Sequence, residues 1–508
     1  MTGVFACTCA KAFPTKTAAS GLKGLTGAGH VESHADLCSA AGRAFIGEKA
    51  KKHVIDRVVL AGCPAVARGE LAALISKAAG IPSAHVLTVI IRHNADAAGA
   101  APAIRRAVSA LEAMPAFQTR RISLAQEVLV IGAGTAGLEA ARSLATLGHG
   151  VTVIDRSPSA PAEPGFPVLQ ATTLASLDGV PGAYRVKMRG PAGTVERVFG
   201  AMIVATGVEM ADPTAKPFVP GKVVPLPGLL DHLAGLRVRE LPRFLAIVLD
   251  LETDEGRASS AEAYRIAVEA GRKYRAAVAL LVRDAKVASL RLGAEYDEAR
   301  EAGVAIVKYA GRPKVRAFEG GVVVAVRDAV TGADAEMTFD LAAVSPWGLA
   351  APADARLAGV LGLDLDAQSR FQDNNSRLLP SLTNRGGVFA IGACRGENWM
   401  PSVLRDARGA ALAAHALLAP RRAVVELAHA VVDGDKCVLC LTCVRSCPFK
   451  AMVIHATERR ADCQAEACRL CGICAGECPN KAIELPAWSD RIVLTLAAPA
   501  WGAAEARA

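Results

Sequence analysis

Two groups of four cysteines near the C-terminal end carry the clearest chemistry in the sequence. The pattern C-x2-C-x2-C-x3-C-P occurs twice, at Cys437, Cys440, Cys443 and Cys447 and again at Cys468, Cys471, Cys474 and Cys478. Three thiolates at this spacing hold three irons of one cluster, and the fourth cysteine reaches the other cluster in proteins that carry two. We therefore predict two [4Fe-4S] clusters with crossed ligands: Cys437, Cys440, Cys443 and Cys478 for one, and Cys468, Cys471, Cys474 and Cys447 for the other. A pair of zinc sites is the alternative, but zinc ribbons lack the third cysteine and the proline.

A glycine-rich turn indicates a dinucleotide site. Gly132, Gly134 and Gly137 form a G-x-G-x-x-G pattern directly after the apolar strand Val128–Ile131 and before a predicted helix. In that context the first glycine permits a tight turn, the second lets the backbone approach a pyrophosphate, and the third lets helix and strand pack closely. Asp155 ends the next predicted strand, where a carboxylate accepts hydrogen bonds from a ribose diol. That carboxylate argues against a 2′-phosphate on the nucleotide.

Two later segments extend the predicted site. Thr206 and Gly207 form the strand-to-turn segment that proteins similar to flavin disulfide reductases place against the dinucleotide. Gly392 ends an apolar strand before a predicted helix, Pro401–Leu418. In those flavoproteins the equivalent helix points its N-terminus at the flavin and stabilises the anionic reduced form. Ala393 stands where many of them carry an aspartate, which weakens the similarity to thioredoxin reductases.

The N-terminal segment holds four more cysteines: Cys7, Cys9, Cys38 and Cys63. Their spacing alone leaves a third cluster and a zinc ion open as alternatives. Cys394 is interpreted as a packed thiol. Cys463 is interpreted as a thiol between the quartets that binds no metal. The second interpretation is that Cys463 is an alternative cluster ligand. No C-x-x-C pair lies between Arg121 and Arg422, so the dinucleotide site has no redox dithiol of its own, and the sequence assigns no catalytic residue.

Composition narrows the class of protein. The chain has 508 residues, 14 cysteines, a net charge of +9 and 4% aromatic residues. Its length predicts about three domains, and clustered cysteines in a chain of this size favour metal ligation in a reducing compartment, the cytoplasm. Residues 1–20 contain no apolar signal segment and no run of 18 apolar residues occurs, so we expect neither export nor a membrane span. Dispersed charge and few aromatic residues argue against nucleic-acid binding.

Alternating helix and strand signals predict an α/β architecture in four parts. We expect a small α/β domain with the four-cysteine site at 1–120, a dinucleotide-binding domain at 121–425, an α+β segment with two clusters at 426–490 and a tail at 491–508. A second Rossmann-like layer is predicted as an insertion at about 240–345. Its strand Phe244–Leu249 leads into Asp250 without a glycine fingerprint, which argues against a nicotinamide site there.

Individual elements follow from the same signals. The predicted helices are Ala40–Lys52, Glu70–Ala79, Leu138–Leu147, Ala261–Arg272 and Tyr296–Ala302. A linker is predicted at Phe117–Glu127. Three strands are expected to return the chain to the first layer: Val322–Val326, Met337–Ala343 and Gly387–Ile391.

In this order the motifs resemble the HdrA component of heterodisulfide reductase and its bacterial relatives, a family of iron-sulfur flavoproteins. The resemblance rests on Val4–Cys9, Leu37–Ser39, Arg57–Pro64, Gly132–Gly137, Ala205–Gly207 and the two quartets. It implies a thioredoxin-reductase-like FAD domain with FAD at Gly132, Gly134, Gly137, Asp155, Thr206, Gly207 and Gly392, and a dicluster ferredoxin domain. It also favours a third [4Fe-4S] cluster at Cys7, Cys9, Cys38 and Cys63.

The resemblance further implies an electron-transfer subunit that relays electrons between FAD, its clusters and partner subunits. Electron donors or acceptors such as ferredoxin are implied, as is a homodimer within a larger complex, and some family members split an electron pair at the flavin. Two features depart from the family: 251–264 lacks the cysteine-containing segment that it commonly carries, and the longer methanogen form has an inserted ferredoxin module. The alternatives are an NAD(P)H-dependent oxidoreductase like the small subunit of glutamate synthase and a non-catalytic iron-sulfur wire.

Overall fold

A computed structural model describes residues 1–9, 21–64, 69–91, 97–163, 165–211, 221–251, 256–289, 291–346, 348–349, 352–372, 380–426 and 428–505. Contacts divide the chain into two compact units, one made of Met1–Leu124 with Arg421–Ala508 and the other of Ala125–Pro420. The predicted segments 426–490 and 491–508 therefore lie in the same unit as 1–120. The predicted domain 121–425 contains the second unit.

The first unit begins with a parallel sheet in the order β2-β1-β3-β4. Its strands are β1 (Thr2–Cys7), β2 (His30–His34), β3 (Arg57–Gly62) and β4 (Val86–Ile90), and its helices are Ala40–Lys52, Gly69–Ala79 and Ala97–Ala113. Alternate strand residues face opposite layers. Phe5 and Leu60 pack with Ile46, whereas Val4 and Val59 pack with Ile104. The carboxyl ends of β1, β2 and β3 consequently meet at one edge of the sheet.

The second unit contains two large sheets. Its strands are β6 (Glu127–Ile131), β7 (Gly150–Ile154), β8 (Val168–Leu169), β9 (Thr173–Val180), β10 (Ala183–Gly190), β11 (Gly193–Phe199), β12 (Ala201–Val204), β13 (Glu209–Met210), β14 (Val223–Pro225), β15 (Phe244–Val248), β16 (Ala277–Val282), β17 (Ala305–Phe318), β18 (Gly321–Asp328), β19 (Asp334–Phe339), β20 (Leu341–Val344), β21 (Gly348–Leu349) and β22 (Val388–Ala390). Its helices are Thr135–Thr146, Leu229–Gly235, Gly256–Tyr274, Leu292–Glu301, Pro352–Leu361 and Met400–Leu418.

The first sheet of this unit is parallel, in the order β22-β12-β6-β7-β8, and the three strands β11-β10-β9 form a separate antiparallel sheet. The second sheet has the order β14-β20-β15-β16-β17-β18-β19. After β12 the chain leaves the first sheet and forms the seven-stranded sheet. It then returns to the first sheet as β22, which pairs with β12. This arrangement confirms the predicted α/β class with a second layer inserted in the first.

Three details of the sequence prediction were wrong. The segment Val322–Val326 lies in β18, and Met337–Ala343 is divided between β19 and β20, so both belong to the inserted sheet. Of the three strands that were predicted to return the chain to the first sheet, only the one observed as β22 does so. The predicted linker Phe117–Glu127 contains β5 (Thr119–Ser123), which pairs antiparallel with β23 (Arg422–Glu426). A polar edge strand with a partner about 300 residues away leaves no local signal, because its hydrogen bonds are entirely non-local.

The C-terminal segment is a pair of small repeats. After β23 come β24 (Val431–Val432), β25 (Met452–Ile454), β26 (Ala461–Cys463) and β27 (Ile483–Glu484), with short helices at Thr442–Ser446 and Ile473–Gly476. The pairs β24–β27 and β25–β26 join the first and second repeats.

The predicted tail forms the helix Asp490–Glu505, and Ile492 is fully buried in the core of the N-terminal sheet. Single 3-10 turns occur at Ser83–His85, Leu226–Gly228, Val238–Glu240, Gly392–Arg395 and Pro486–Trp488. No helix within the described ranges is long and apolar enough to cross a bilayer.

Candidate cluster and dinucleotide sites

The first cluster site is a cavity in the C-terminal segment. Four thiols line it: Cys437, Cys440, Cys443 and Cys478. Cys437 and Cys440 come from the loop after β24, Cys443 from the helix Thr442–Ser446, and Cys478 from the other repeat. The structure therefore brings together the four residues that the motif spacing groups as one ligand set.

The second cavity repeats this arrangement. It is lined by Cys468, Cys471, Cys474 and by Cys447 from the first repeat. In each cluster loop the backbone between cysteines takes left-handed conformations, at Leu439 and Leu441 in the first repeat and at Leu470 and Gly472 in the second. Such conformations are costly for leucine and persist at sites where the surrounding chain imposes them. They let each loop wrap around its cavity.

Backbone amides point at the cysteine sulfurs. Ala451 donates its N–H to Cys447 and Ala482 donates to Cys478, both at 3.3 Å. Ala461 donates to Cys437 and Leu470 to Cys468, both at 3.5 Å. Amide donors stabilise negative charge on cluster sulfur and thereby set the reduction potential.

Burial raises the pKa of the Cys474 thiol to about 11, and the charges of neighbouring cysteines add to the effect. Coordination to a metal deprotonates such a thiol outright. Within the described ranges no group of three or more His, Cys, Asp or Glu residues lies close enough to hold a single metal ion. The four predicted ligands of each set line one cavity, and this donor arrangement fits a multi-iron cluster.

Cys463 belongs to the second cavity, although the sequence interpretation left it as a bystander. It ends β26, is 8% exposed and lines the cavity beside the four predicted ligands. Its thiol hydrogen-bonds to the sulfur of Cys468, and this bond raises the pKa of Cys463 and lowers that of Cys468.

The N-terminal cysteines lie at the carboxyl edge of the parallel sheet. Cys7 ends β1, Cys9 follows two residues later, and Cys63 comes directly after β3. Cys38 lies in the turn before the helix Ala40–Lys52, where its thiol donates to Asp36 Oδ1 at 3.0 Å. Cys7 is buried and Cys38 is exposed. The topology thus gathers all four at one edge, at the switch point where β2 and β3 flank β1 on opposite sides.

The glycine turn forms the dinucleotide cradle. Gly132 has a φ of 111°, and a Cβ on it would lie 2.3 Å from the carbonyl oxygen of Ala205. A Cβ on Gly137 would lie 1.9 Å from the carbonyl oxygen of Gly132, so the helix packs too close to the strand for any residue larger than glycine. Gly134 is the N-cap of the helix Thr135–Thr146, and a Cβ there would meet no atom within 4 Å. The backbone is therefore open where a pyrophosphate would approach.

A cavity of about 320 Å³ adjoins this turn. Asp155, Thr206 and Gly207 line it together with Gly132 and Gly134. The Asp155 carboxylate accepts the backbone N–H of Ala133 through Oδ2 and that of Ser157 through Oδ1, both at 2.7 Å. The hydroxyl oxygen of Thr206 is buried without a protein partner among the described residues. These features fit a dinucleotide whose ribose and phosphates supply the missing partners.

Gly392 lies next to the cavity lining, not in it. Its φ is 71°, and a Cβ would lie 3.1 Å from Ala136 Cβ in the first turn of the dinucleotide-binding helix. The sequence did not identify several lining residues, among them Thr172, Asp354 and Arg356. They come from β8–β9 and from the helix Pro352–Leu361, and no motif connects those segments with the glycine turn.

Cys394 is sealed in the core of this unit. It is 1% exposed, its Sγ donates to the carbonyl oxygen of Ile391 at 3.2 Å, and burial raises its pKa to about 11. A thiol in this state is not a nucleophile at neutral pH. Its burial matches the interpretation as a packed thiol.

Asp250 lies at the described start of the turn after β15 in the inserted layer. Its backbone takes a φ of 56°, and its carbonyl oxygen accepts from Arg283 at 2.9 Å. Asp250 is 4% exposed. The described residues at the start of this turn therefore offer no open glycine backbone of the kind that phosphates require.

Family comparisons agree with both kinds of site. The model of the pyridine nucleotide-disulphide oxidoreductase family matches residues 127–166, and that of the 4Fe-4S binding domain matches residues 430–453. The chain is 31% identical over 131 residues to the HdrA iron-sulfur component of CoB--CoM heterodisulfide reductase from Methanocaldococcus jannaschii, covering 26% of this chain and 20% of the relative. It is 33% identical over 133 residues to the first of two such components from Methanopyrus kandleri, with the same coverage of 26% and 20%.

An HdrA-like protein of Archaeoglobus profundus is 28% identical over 166 residues, or 32% of this chain and 24% of that protein. The matched part thus spans about a fifth to a quarter of the length of these relatives. Among solved structures, thioredoxin reductase of T. acidophilum aligns with 57% of this chain and 98% of its own at 17% identity and a TM-score of 0.38. The matches confirm the resemblance to the HdrA component of heterodisulfide reductase.

Proposed function

We propose that the chain is the FAD and iron-sulfur electron-transfer subunit of a heterodisulfide-reductase-like complex in a reducing cytoplasm. It would relay electrons between the flavin, its clusters and partner subunits or a ferredoxin. The crossed thiol sets carry this proposal, because each cavity is lined by the first three motif cysteines of one repeat and by the fourth motif cysteine of the other. Crossing is the arrangement of two-cluster ferredoxins and holds both clusters in one rigid segment.

Each residue set has a separate task in the proposal. Cys437, Cys440, Cys443 and Cys478 would hold one [4Fe-4S] cluster, and Cys468, Cys471, Cys474 and Cys447 the other. The amide donors on Cys447 and Cys478 would stabilise reduced-cluster charge at the two crossing positions. When bound, the clusters supply one-electron transfer, and the protein sets their potentials through ligation, hydrogen bonds and burial.

The glycine cradle would hold FAD. Gly132, Gly134 and Gly137 would bring the backbone against the pyrophosphate, and the N-terminus of the helix Thr135–Thr146 would offset its charge. Asp155 would accept from the ribose, and Thr206 and Gly207 border the same cavity. Gly392 would position the 3-10 turn Gly392–Arg395 against Ala136. The flavin, when bound, exchanges electrons in pairs and singly, which links two-electron partners with one-electron clusters.

A third [4Fe-4S] cluster is proposed at Cys7, Cys9, Cys38 and Cys63. Their common edge at the sheet switch point supports it. The Cys38 thiol is exposed and the Cys7 thiol buried, so a cluster there would face solvent or a partner on one side.

An anaerobic reductive titration tests the proposed function. We expect a low-potential donor such as reduced ferredoxin to reduce flavin and clusters, and NADH or NADPH alone to leave the flavin oxidised, because no glycine fingerprint follows the strand Phe244–Leu249 of the inserted layer. Rapid flavin bleaching by either nicotinamide would instead support the pyridine-nucleotide alternative. Isolation of intact protein without flavin would support the iron-sulfur wire. With a two-electron donor of intermediate potential, reduction of a low-potential acceptor that occurs only together with equal reduction of a high-potential acceptor would identify electron-pair splitting.

A further inference from the structure

The second cluster cavity is lined by five thiols, one more than a [4Fe-4S] cluster needs. Cys463 lines it with Cys447, Cys468, Cys471 and Cys474. Among the described residues that line the first cavity, the four predicted ligands are the only cysteines. The surplus thiol is therefore specific to the second site.

Cys463 and Cys468 line the same cavity, Cys463 from the end of β26 and Cys468 from the cluster loop. A cluster held in this cavity would therefore border both sulfurs.

The internal repeat shows what normally fills this position. Cys463 ends β26 five residues before Cys468, and Val432 ends β24 five residues before Cys437. Val432 lines the first cavity just as Cys463 lines the second. An apolar side chain therefore packs well at this position of the repeat. Packing alone does not explain why the second repeat has a thiol there.

The two thiols are held differently. Cys463 belongs to β26 and pairs with Met452 of β25, so its backbone is fixed by a ladder. Cys468 lies in the cluster loop, two residues before Leu470, whose φ is 53°. Cys463 is the more buried of the two. As a ligand, Cys463 would thus be held by a hydrogen-bonded strand and would be more buried than Cys468 in the loop.

We propose that Cys463 is a reserve ligand of the second cluster that replaces Cys468 on its iron. In the exchange, the iron–sulfur bond to Cys468 would break and one to Cys463 would form. The proton of the Cys463 thiol would pass to the released Cys468 sulfur. No electron is gained or lost, and four-thiolate ligation is kept. The inference rests on the proposed function, since it requires both ferredoxin-like clusters.

Iron and acid-labile sulfide per chain, measured on anaerobically purified variants, test the proposal. We expect Cys471→Ala to lose about four irons and Cys468→Ala to retain them, because Cys463 takes the vacated position. Cys463→Val reproduces the residue of the first repeat and should keep all iron. The double variant Cys463→Val/Cys468→Ala should lose about four irons. An equal loss in Cys468→Ala and Cys471→Ala would overturn the proposal.

Thiol alkylation supplies a readout independent of iron counting. In native Cys468→Ala, Cys463 should resist iodoacetamide until a chelator removes the iron, as mass spectrometry of the labelled peptide would show. Labelling of Cys463 while the iron remains would contradict its role as a ligand. If Cys471→Ala holds as much iron as the unaltered chain, the second cluster itself is absent and the proposed function fails.

The first repeat offers a gain-of-function test that does not depend on the stability of Cys468→Ala. Cys437→Ala should lose about four irons, since an apolar Val432 lies where the second repeat has its extra thiol. Val432→Cys in that background should restore them if this wall position can serve as a ligand site. Failure to restore iron in soluble protein would overturn the proposal even where Cys468→Ala does not fold.

Discussion

Gly137 offers a direct test of the dinucleotide cradle. A Cβ at this position would lie 1.9 Å from the carbonyl oxygen of Gly132 and 3.4 Å from Ala205 Cβ. A carbon–oxygen contact needs about 3.3 Å, so Gly137→Ala requires the helix Thr135–Thr146 to move away from β6 by about 1.4 Å. Overpacking of this kind costs about 3 kcal/mol.

In a unit of this size we expect a Tm about 6 °C lower for Gly137→Ala, because a change of 1 kcal/mol corresponds to about 2 °C. The displaced helix N-terminus also moves away from the pyrophosphate, so less flavin should copurify. Iron content should not change, since the two ferredoxin-like cavities lie in the other unit. Differential scanning calorimetry together with flavin absorbance after protein denaturation measures these effects.

Gly409→Ala is the matched control. Gly409 lies inside the helix Met400–Leu418 of the same unit, and a Cβ there would meet no atom within 4 Å. Alanine is favoured over glycine in a helix by about 1 kcal/mol, so this variant should have a slightly higher Tm and full flavin content. Gly137→Ala with the Tm and flavin content of the unaltered protein would refute the close helix–strand contact.

Three further predictions concern other sites. Asp155→Asn should weaken FAD binding at least about tenfold in a fluorescence titration of the flavin-depleted protein, because the carboxylate charge and one acceptor are lost, whereas the exposed Asp178→Asn should bind normally. Cys394 should remain unlabelled by iodoacetamide at pH 8, with labelling rising only as the pH approaches its pKa of about 11; complete labelling at pH 8 would show that the thiol is accessible. Cys63→Ser should lose about four irons if the N-terminal site holds a cluster, while the loss of one zinc and no iron would assign a structural metal.

Motifs that combine local spacing with a local element could be predicted well from the sequence. The strand Val128–Ile131 and the glycines that follow it lie where the pattern places them, since a βα turn is complete within about 20 residues. The grouping of the first three cysteines of each quartet with the fourth cysteine of the other also agrees with the cavity linings. Here the spacing itself indicates the geometry, because the fourth cysteine of this motif ligates the other cluster in two-cluster ferredoxins.

Features that depend on distant partners were not predictable. β5 is recognisable only through its pairing with β23, and the helix Asp490–Glu505 only through the burial of Ile492 against the N-terminal sheet. Cys463 illustrates the same point for chemistry. Its position before a quartet is visible in the sequence, but its contact with Cys468 depends on how β26 and the cluster loop meet. The cavity residues Thr172 and Asp354 likewise come together only in the folded unit.

Metal and flavin content per chain tests the central claim most directly. Anaerobically purified protein should contain about twelve irons, no zinc and one FAD, and its reduced form should show the electron paramagnetic resonance of interacting [4Fe-4S] clusters. About eight irons with one zinc would reassign Cys7, Cys9, Cys38 and Cys63 to a structural site and leave the crossed pair intact. Fewer than about eight irons in intact protein, or the absence of flavin, would contradict the account of this chain as a flavin and iron-sulfur electron-transfer subunit.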